Sequence, residues 1–411
     1  DEAATGANDG TSWGNAFHSL KDALNVPRVS AIYVAQGTYR PTTESDRDAR
    51  FEPAENAKIY GGFPTGGAGF SAPTRGVSPT ILSGEIGVAG ILTDNSRHIM
   101  VITRNNVHVE GFTIRDGYSS EGERGVGIWI GATETTLPTD FKTVVRNCKF
   151  LNNNAGTSNG GAIYTHYRNT THTNYLYVQN CLFDGNTANN GGAVFLENYT
   201  ALPNTIQEFT NCVFNNNTAS QSGGGLSVQQ STEAKLVNCT FGGNTAVSGG
   251  AIYNNGTVRL HNGIVHSNSG SIANSGTFQA DYSNIQGSGG SSSWSLSGIQ
   301  DLGHNIDADP LFAASPALSI RKGSPSANTG LNSYNTEPYD IRGNRRIHMS
   351  TIDMGAYETE NFAVFVAADA PAGGDGTSWA TAFNNLHDGI AAAGTGPDTK
   401  DVWIKAGTYR P

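Results

Sequence analysis

The stretch from Asn147 to Asn254 contains four copies of one short pattern. Each copy begins with Asn-Cys-x-Phe, places an Asn three residues after the Phe and an Ala two residues later, and ends at a Gly-Gly pair. The copies start at Asn147, Asn180, Asn211 and Asn238, and their cysteines lie 33, 31 and 27 residues apart. A repeat of this length predicts a solenoid, a propeller or another repeat array.

The residues within one copy favour strands over helices. Cys148 and Phe150 are two residues apart and therefore lie on the same face of a strand. Apolar residues do not recur at helical spacing, and the copies are shorter than a propeller blade of about 40–45 residues. We therefore predict an all-β solenoid, a parallel β-helix, with one coil per copy and coils stacked about 4.8 Å apart.

When the coils stack, each column of identical residues lies either in the interior or at a corner. The Cys and Phe columns fill the interior. The Asn columns lie at corners that need a left-handed residue, and their amides can bond from coil to coil. The Gly-Gly pair permits a second corner with positive φ.

The four cysteines, Cys148, Cys181, Cys212 and Cys239, share one inward column. Parallel Cβ vectors keep stacked Cβ atoms farther apart than the ~3.8 Å of a disulfide. We predict free buried thiols. The chain has no Cys-x-x-Cys and no paired His, so the pattern does not favour a metal site.

Composition narrows the class of protein. Among 411 residues there are 52 glycines, only 15% are charged, and the net charge is −10. Such a chain has no basic footprint for nucleic acid. No apolar run approaches the length of a membrane span.

The sequence divides into four predicted regions, of which the first three run from residue 1 to residue 360. Residues 1–58 form an N-terminal cap helix and the first coils, because Asp9-Gly10-Thr11-Ser12 predicts a turn and N-cap before a helix. Apolar residues then recur at helical spacing at Trp13, Phe17, Leu20 and Leu24. Residues 59–310 form the coils, with a Gly/Ser-rich loop at 287–298, and residues 311–360 form the C-terminal edge or cap of the module.

Residues 361–411 repeat the opening of the chain. Asp375-Gly376-Thr377-Ser378-Trp379 matches residues 9–13 at a distance of 366 residues, and Val402-Trp403-Ile404 matches Ile32-Tyr33-Val34 at 370 residues. The strand that precedes this second copy begins at Phe362. We predict the truncated start of a second tandem module, and a natural protein that is longer at both ends.

Two resemblances follow from these motifs. The Phe-x-x-Asn and Gly-Gly-Ala-Ile elements resemble the repeats of chlamydial-type polymorphic outer membrane proteins. Two further passages resemble secreted right-handed β-helix surface proteins of the choice-of-anchor Q type, which have a pectate-lyase-like fold. These passages are the opening Asp-Gly-Thr-Ser-Trp and the closing Ile352-Asp353-Met354-Gly355-Ala356-Tyr357-Glu358. The resemblance implies a right-handed helix and a long, exported, bacterial cell-surface protein that acts as an adhesin.

Two features predict a binding surface. The residue after the Ile of each Gly-Gly-Ala-Ile element forms an outward column: Trp129, Tyr164, Phe195, Ser227 and Tyr253. Stacked rings suit sugar faces or a neighbouring subunit, or else side loops cover them. Three successive long loops carry Tyr167, His172, Tyr175 and Tyr199, and such loops serve recognition or lateral contacts in a filament.

Catalytic signals are weak. The resemblance implies that an enzyme of the pectate-lyase-like fold would use clustered carboxylates that hold calcium, or paired Asp residues with a Gly-His-Gly turn. The coils from residue 111 to 268 carry only Asp116, Asp140, Asp184 and a few Glu residues. The chain also has no adjacent Asp pair, and it reads Gly303-His304-Asn305 in place of Gly-His-Gly. Asp307 and Asp309 form either a turn or a structural calcium site, and His166 is either a ligand with His172 or an exposed loop residue. We predict no catalytic residue, no metal site and no cofactor.

The sequence therefore predicts a non-enzymatic, extracellular, structural or adhesive β-helix module of a giant tandem-repeat surface protein. It would form a rod or filament that contacts glycans or surface proteins of other cells, or the matrix, and associates with itself. The alternative is a carbohydrate-active enzyme, a polysaccharide lyase or glycoside hydrolase.

Overall fold

The computed structural model describes residues 1–67, 78–120, 122, 124–132, 140–168, 172–199, 205–348, 351–359, 363–376, 379–394 and 401–409. Helix α1 spans Leu20–Leu24 and helix α2 spans Leu386–Ala393, and short 3₁₀ turns span Leu92–Asp94, Asn332–Tyr334 and Trp379–Thr381. The strands follow in chain order: β1 (Ala31–Ala35), β2 (Gly37–Tyr39), β3 (Lys58–Phe63), β4 (Thr80–Ser83), β5 (Met100–Ile102), β6 (Val107–Glu110), β7 (Phe112–Arg115), β8 (Ile128–Ala132), β9 (Phe141–Arg146), β10 (Lys149–Leu151), β11 (Ile163–Tyr167), β12 (Asn174–Gln179), β13 (Leu182–Asp184), β14 (Thr187–Asn190), β15 (Val194–Asn198), β16 (Thr205–Thr210), β17 (Val213–Asn215), β18 (Thr218–Ser222), β19 (Leu226–Val228), β20 (Glu233–Val237), β21 (Thr240–Gly242), β22 (Ile252–Asn254), β23 (Thr257–His261), β24 (Ile264–Val265), β25 (Ile272–Asn274), β26 (Thr277–Asp281), β27 (Asn284–Ile285), β28 (Ile299–Asp301), β29 (Ile347–His348), β30 (Thr351–Ile352), β31 (Ala363–Val366) and β32 (Asp401–Ile404).

The strands build three long parallel sheets, which confirms the predicted right-handed parallel β-helix. The first sheet has the order β1-β3-β6-β9-β12-β16-β20-β23-β26-β28, and the second has the order β2-β4-β7-β10-β13-β17-β21-β24-β27. The third sheet runs β5-β8-β11-β15-β19-β22-β25. Each coil from β3 to β25 contributes one strand to each sheet. The apolar side chains of all three sheets meet in one continuous core.

The interior ladders are as predicted. The rings of Phe150, Phe183, Phe214 and Phe241 stack nearly parallel, with successive centroids 4.9, 4.8 and 4.3 Å apart. The four cysteines are buried and free. The thiols of Cys212 and Cys239 donate to the carbonyls of Val178 and Phe209 in the preceding coil, at 3.4 and 3.3 Å.

The corners use both Asn columns. The Asn that precedes each Cys has a left-handed backbone, with φ near 52° at Asn147 and Asn211. The second column forms a buried amide ladder in which each Nδ2 donates to the Oδ1 of the next coil. The links join Asn153, Asn186, Asn217, Asn244 and Asn268 at 3.1, 2.9, 2.9 and 2.9 Å.

The same amides satisfy the backbone of the corner. Asn217 Nδ2 also donates to the carbonyl of Phe183 at 3.0 Å, and its Oδ1 accepts from the backbone N–H of Asn186 at 3.0 Å. The Gly-Gly corner is as tight as predicted. Gly191 has a φ of 61°, and a Cβ on Gly192 would lie 2.4 Å from the carbonyl oxygen of Gly224.

The N-terminal helix is shorter than predicted. It begins at Leu20, because the Ser19 hydroxyl caps it by accepting from the backbone N–H of Asp22. The carbonyl of Asn15 instead accepts from the amides of Asp9 and Gly10 and holds the preceding segment, with Trp13 and Phe17, in turns. Leu20 and Leu24 nevertheless pack into the main core at the first coil.

The segment predicted as a C-terminal edge or cap lies along the side of the coils. We call residues 311–348 and 351–358 the C-terminal strap. Ala356 N donates to Thr240 Oγ1 at 2.9 Å. Asn211 Nδ2 donates to the carbonyl of Tyr339 at 3.0 Å. The strap therefore packs against the second sheet and bridges several coils.

A buried ion network holds the strap together. Arg346 has no solvent-exposed surface, and its Nη1 lies 3.2 Å from Glu358 Oε1. Its Nη2 donates to the carbonyl of Asp353 at 3.1 Å. The Asp340 carboxylate accepts from the backbone N–H of Asn344 at 2.8 Å and of Glu358 at 3.0 Å. The closing motif of the sequence is therefore a structural element.

Replacing Asn217 with Ala should destabilise the β-helix by about 3 kcal/mol or more, because it removes the amide that four buried groups share. Chemical denaturation monitored by circular dichroism measures this loss. The exposed neighbour Thr218→Ala is the matched control and should cost less than about 1 kcal/mol. Equal costs for the two variants would contradict the role of the ladder.

Replacing Arg346 with Met should cost about 3–5 kcal/mol, because it leaves buried carboxylates without their cation. The exposed Arg345→Met provides a control at the adjacent residue. Limited proteolysis should then cut Arg346→Met within the strap at low protease concentration. Wild-type resistance in that variant would show that the strap does not depend on the ion network.

Candidate functional site

The outward face of the third sheet carries the predicted column. Tyr164 pairs in register with Trp129 on one side and Phe195 on the other. Phe195 pairs with Ser227, which pairs with Tyr253. The rings of Tyr164 and Phe195 stack with centroids 5.7 Å apart. Because Ser227 interrupts the aromatic residues, Tyr253 is separated from the other three.

Exposure differs along this column. Tyr164 and Phe195 are buried, while Trp129 and Tyr253 are half-buried. Among the described residues of this face, Tyr199 has an exposed ring: it lies just beyond the end of β15 and 52% of the residue is exposed. The middle of the column is therefore covered, and its two ends are partly open to solvent.

Tyr167 was predicted as a loop residue on the binding surface, but the structure places it in the core. Strand β11 extends to Tyr167, so the side chain of Tyr167 points to the same side as that of Ile163. Its ring packs edge-on against Phe141 with centroids 5.8 Å apart. Complete burial raises the pKa of the Tyr167 hydroxyl. Tyr167 is therefore unavailable to a ligand.

Tyr175 was also predicted in this surface, but it lies on the first sheet. It belongs to β12 and its ring stacks with that of Tyr177, with centroids 6.1 Å apart. His172 is half-buried and leads into β12. The centres of the long loops, residues 133–139, 169–171 and 200–204, lie outside the described residues.

Five side chains form a polar cluster around the covered column. We call Arg124, Tyr164, His166, Glu197 and Tyr199 the Arg124–Glu197 cluster. Arg124 Nη1 lies 2.6 Å from the Tyr164 hydroxyl and 3.3 Å from both Glu197 Oε2 and the Tyr199 hydroxyl. The Tyr164 hydroxyl donates to Glu197 Oε2.

His166 lies within the same cluster. Its Nδ1 is 3.2 Å from the Tyr164 hydroxyl and 3.7 Å from Glu197 Oε2. Its ring lies between those of Trp129 and Tyr199, with centroids 5.9 and 4.7 Å away. The sequence favoured His166 as an exposed loop residue, but it lies within β11 with only 13% of its side chain exposed.

The cluster keeps Glu197 ionised. Burial raises the pKa of Glu197. Hydrogen bonds from His166 and Tyr164 and the charge of Arg124 lower it by a larger amount, so the pKa of Glu197 falls below its usual value. Burial and the neighbouring carboxylate raise the pKa of the Tyr164 hydroxyl. At neutral pH the site therefore presents a neutral phenol, a carboxylate and a guanidinium beside aromatic faces.

Sequence patterns could have found part of this cluster. His166 follows Tyr164 by two residues, and Glu197 follows Phe195 by two, so each shares the outward face of its strand. His166 also pairs with Glu197 in register. Arg124 lies before β8, outside the repeat, and no spacing in the sequence links it to the other members.

Two kinds of feature are absent from the described residues. None of their His, Cys, Asp and Glu side chains form a group of three or more placed to hold a metal ion. Both oxygens of Asp307 accept from backbone amides of an earlier segment, those of Gly287 and Gly289. Within the same described ranges, no helix combines the length and apolar character needed to cross a membrane.

Replacing Glu197 with Gln should make stability less sensitive to acid. A carboxylate with a lowered pKa stabilises the fold above its unfolded pKa of about 4.3, and this contribution is lost as the pH falls through the folded pKa. Scanning calorimetry should therefore show wild type melting above Glu197→Gln at neutral pH, with the gap closing in acid. Exposed Glu44→Gln is the control and should track wild type. A gap that persists unchanged in acid would contradict this assignment.

Comparisons with known proteins support the repeat and the surface class. Residues 147–166, 180–197, 211–229 and 238–255 match the family model of the Chlamydia polymorphic membrane protein repeat. No curated protein matches the chain. The four matches coincide with the Asn-Cys-x-Phe copies. The first two include Tyr164, His166 and Glu197 of the cluster, whereas Arg124 and Tyr199 lie outside the matches. Four segments of the chain are thus similar to the repeat of the polymorphic membrane proteins, which supports a cell-surface location in general terms.

Proposed function

We propose that the chain is an extracellular, non-enzymatic β-helix module of a longer tandem-repeat surface protein. It acts as a stiff rod, associates with itself into a filament or bundle, and contacts glycans or surface proteins of other cells. The finer resemblance to choice-of-anchor Q proteins, a bacterial origin and a structural calcium belong to the same proposal. The observation that carries it is the placement of an aromatic and charged cluster on the side of an uninterrupted solenoid.

Stiffness is supported by the ladders of the repeat coils. Between Phe150 and Phe241, neighbouring coils contact each other through three parallel sheets, a Phe stack and a buried amide ladder. Bending the rod would require these contacts to open on one side, and the close packing of the interior resists that. A side surface held by such a frame suits contact between cells.

A glycan is the ligand class that the cluster suits best. Tyr199 is exposed, Trp129 is half-buried, and the His166 ring lies between them. Sugars stack their apolar faces on such rings and hydrogen-bond to charged groups beside them. The guanidinium of Arg168 lies 5.5 Å from the centroid of the Tyr199 ring and adds a second cation to this edge.

One observation favours the alternative of a carbohydrate-active enzyme. A tyrosine hydroxyl that donates to a carboxylate occurs at Tyr164 and Glu197, and such pairs can move protons. The lowered pKa of Glu197 suits a base rather than the general acid that glycoside hydrolysis also needs. We therefore place binding ahead of turnover.

Replacing Trp129 and Tyr199 with Ala should weaken binding to glycans by about tenfold or more, because it removes about 1–3 kcal/mol of ring contact. A glycan array probed with the labelled chain identifies ligands, and calorimetry with the best ligand measures the loss. Tyr339→Ala is the matched control, since Tyr339 is an exposed aromatic residue on the strap.

Two outcomes would contradict the proposal. Equal binding by wild type and the Trp129/Tyr199 variant would exclude this surface. Cleavage of a polysaccharide by wild type that disappears in Glu197→Gln would establish the enzyme instead.

A further inference from the structure

The C-terminal strap covers only part of the second sheet and leaves a groove at its edge. Under the strap, Val213 on β17 is buried in one apolar cluster with Tyr357. Two strands along the same sheet, Lys149 on β10 is exposed. Between them lies a groove of about 380 Å³, and strap residues Ile341 and Arg342 line one side of it. This volume falls within the range of about 300–1,000 Å³ that is typical of small-molecule sites.

The charged side chains that line the groove are cations. Among its described lining residues these are Lys149 and Arg342, although the chain has a net charge of −10. Arg342 is held in the wall, since its Nη2 donates to the carbonyl of Glu358 at 2.8 Å and its guanidinium lies 5.4 Å from the centroid of the Tyr357 ring. The Asp340 carboxylate lies 3.8 Å from Arg342 Nε, on the strap side. The groove therefore offers positive charge to a ligand.

A corner asparagine adds an unused hydrogen-bond donor to the groove. At the same corner of later coils, Asn211 Nδ2 donates to the strap carbonyl of Tyr339 at 3.0 Å. Asn262 Nδ2 donates to the strap carbonyl of Leu331 at the same distance. Asn180 lies one coil before Asn211 and lines the groove. Its Oδ1 accepts from Asn211 Nδ2, but its own Nδ2 is buried without a partner among the described residues. A ligand oxygen in the place of the strap carbonyl would satisfy this donor.

The neighbouring corner asparagines differ from Asn180 in this respect. Asn147 also lines the groove, but its Nδ2 donates to Glu110 Oε1 at 2.6 Å. The amide of Asn238 has no partner among the described residues either, but Asn238 is fully buried and is not among the residues that line the groove. Asn180 therefore combines an unused donor with a place in the groove.

The strands around the groove favour a ligand that side chains recognise. Strand β10 pairs with β7 on one side and β13 on the other, and β13 also pairs with β17. An extended peptide would need an open strand edge, and these strands offer none. Half-buried Thr113, Leu182 and Ile341 add a hydroxyl and apolar surface. A sugar acid matches this combination, because its carboxylate suits cations and an amide donor while its ring has hydroxyls and apolar faces.

We propose that the groove at the edge of the strap binds a sugar that carries a carboxylate. The carboxylate accepts hydrogen bonds from Asn180 Nδ2 and Lys149 Nζ, and Arg342 adds positive charge at the wall. The groove lies on the second sheet and the Arg124–Glu197 cluster lies on the third. The inference therefore does not depend on glycan binding by that cluster.

Calorimetry with the full chain tests this proposal. The probes are methyl glucuronide and methyl sialoside, and methyl glucoside is the uncharged control. EDTA in the buffer ensures that no calcium bridges the sugar and the protein. At least one acidic sugar should bind saturably at millimolar concentration, and methyl glucoside should bind at least about tenfold more weakly.

Two variants test the named donors. Lys149→Gln should weaken binding about fivefold or more, because it removes a charge-assisted hydrogen bond. Asn180→Asp keeps the oxygen that accepts from Asn211 but replaces the unused donor with a carboxylate, so it should abolish binding. Lys58→Gln makes the same change at an exposed lysine on a strand of the first sheet and should bind like wild type. Because Lys149 is exposed, its variant keeps the test valid even where Asn180→Asp folds poorly.

The Trp129/Tyr199 variant separates this site from the Arg124–Glu197 cluster and should bind the acidic sugar like wild type. Loss of binding in that variant, with full binding by Lys149→Gln, would overturn the assignment to the groove. Absence of saturable binding by both acidic sugars, equal binding of methyl glucoside, or equally tight binding of sulfate alone would overturn the proposal as well.

Discussion

The buried amide ladder is the constraint on which the rest of the structure depends. A parallel β-helix must turn at the same place in every coil, and the turn after each Phe leaves a carbonyl and an amide inside the protein. Asn186 and its counterparts satisfy both groups and bond to each other at the same time. Because each link spans two coils, the residue cannot be changed in one coil without affecting the next. The spacing this imposes is also the spacing at which the Phe rings stack.

This constraint explains why the sequence predicted the coils well. A ladder needs the same residue at the same place in each turn, so Cys, Phe, Asn and Gly recur visibly, and their recurrence identifies interior and corner positions. The strap could not be predicted in this way. Its contacts join residues far apart in sequence, such as Ala356 and Thr240. These contacts do not recur from coil to coil, so no repeated pattern reveals them. The helix at the N-terminus was predicted too long because apolar spacing continues through a segment whose backbone bonds close turns instead.

The candidate site was predicted only in outline, for a related reason. Register along the third sheet follows from the repeats, so the column of Trp129, Tyr164 and Phe195 could be found. The length of each strand does not follow, and β11 continues far enough to turn Tyr167 inward and to bring His166 beside Glu197. Arg124 reaches the cluster from outside the repeat, and only the folded chain brings it there. The covered rings of Tyr164 and Phe195 thus lie beneath a surface of charged groups and do not form the binding surface themselves.

The strap changes how the solenoid would respond to load. In a simple repeat array each coil touches only its neighbours, so an end can fray one coil at a time. Here Glu337 binds Arg146 and Gly355 donates to the carbonyl of Asn262, which ties coils more than a hundred residues apart to one segment. Tension applied beyond Thr359 would act first on Glu358 and on its contact with the buried Arg346. The network would then act as a mechanical fastening, and the coils beneath it would stay folded until it opened.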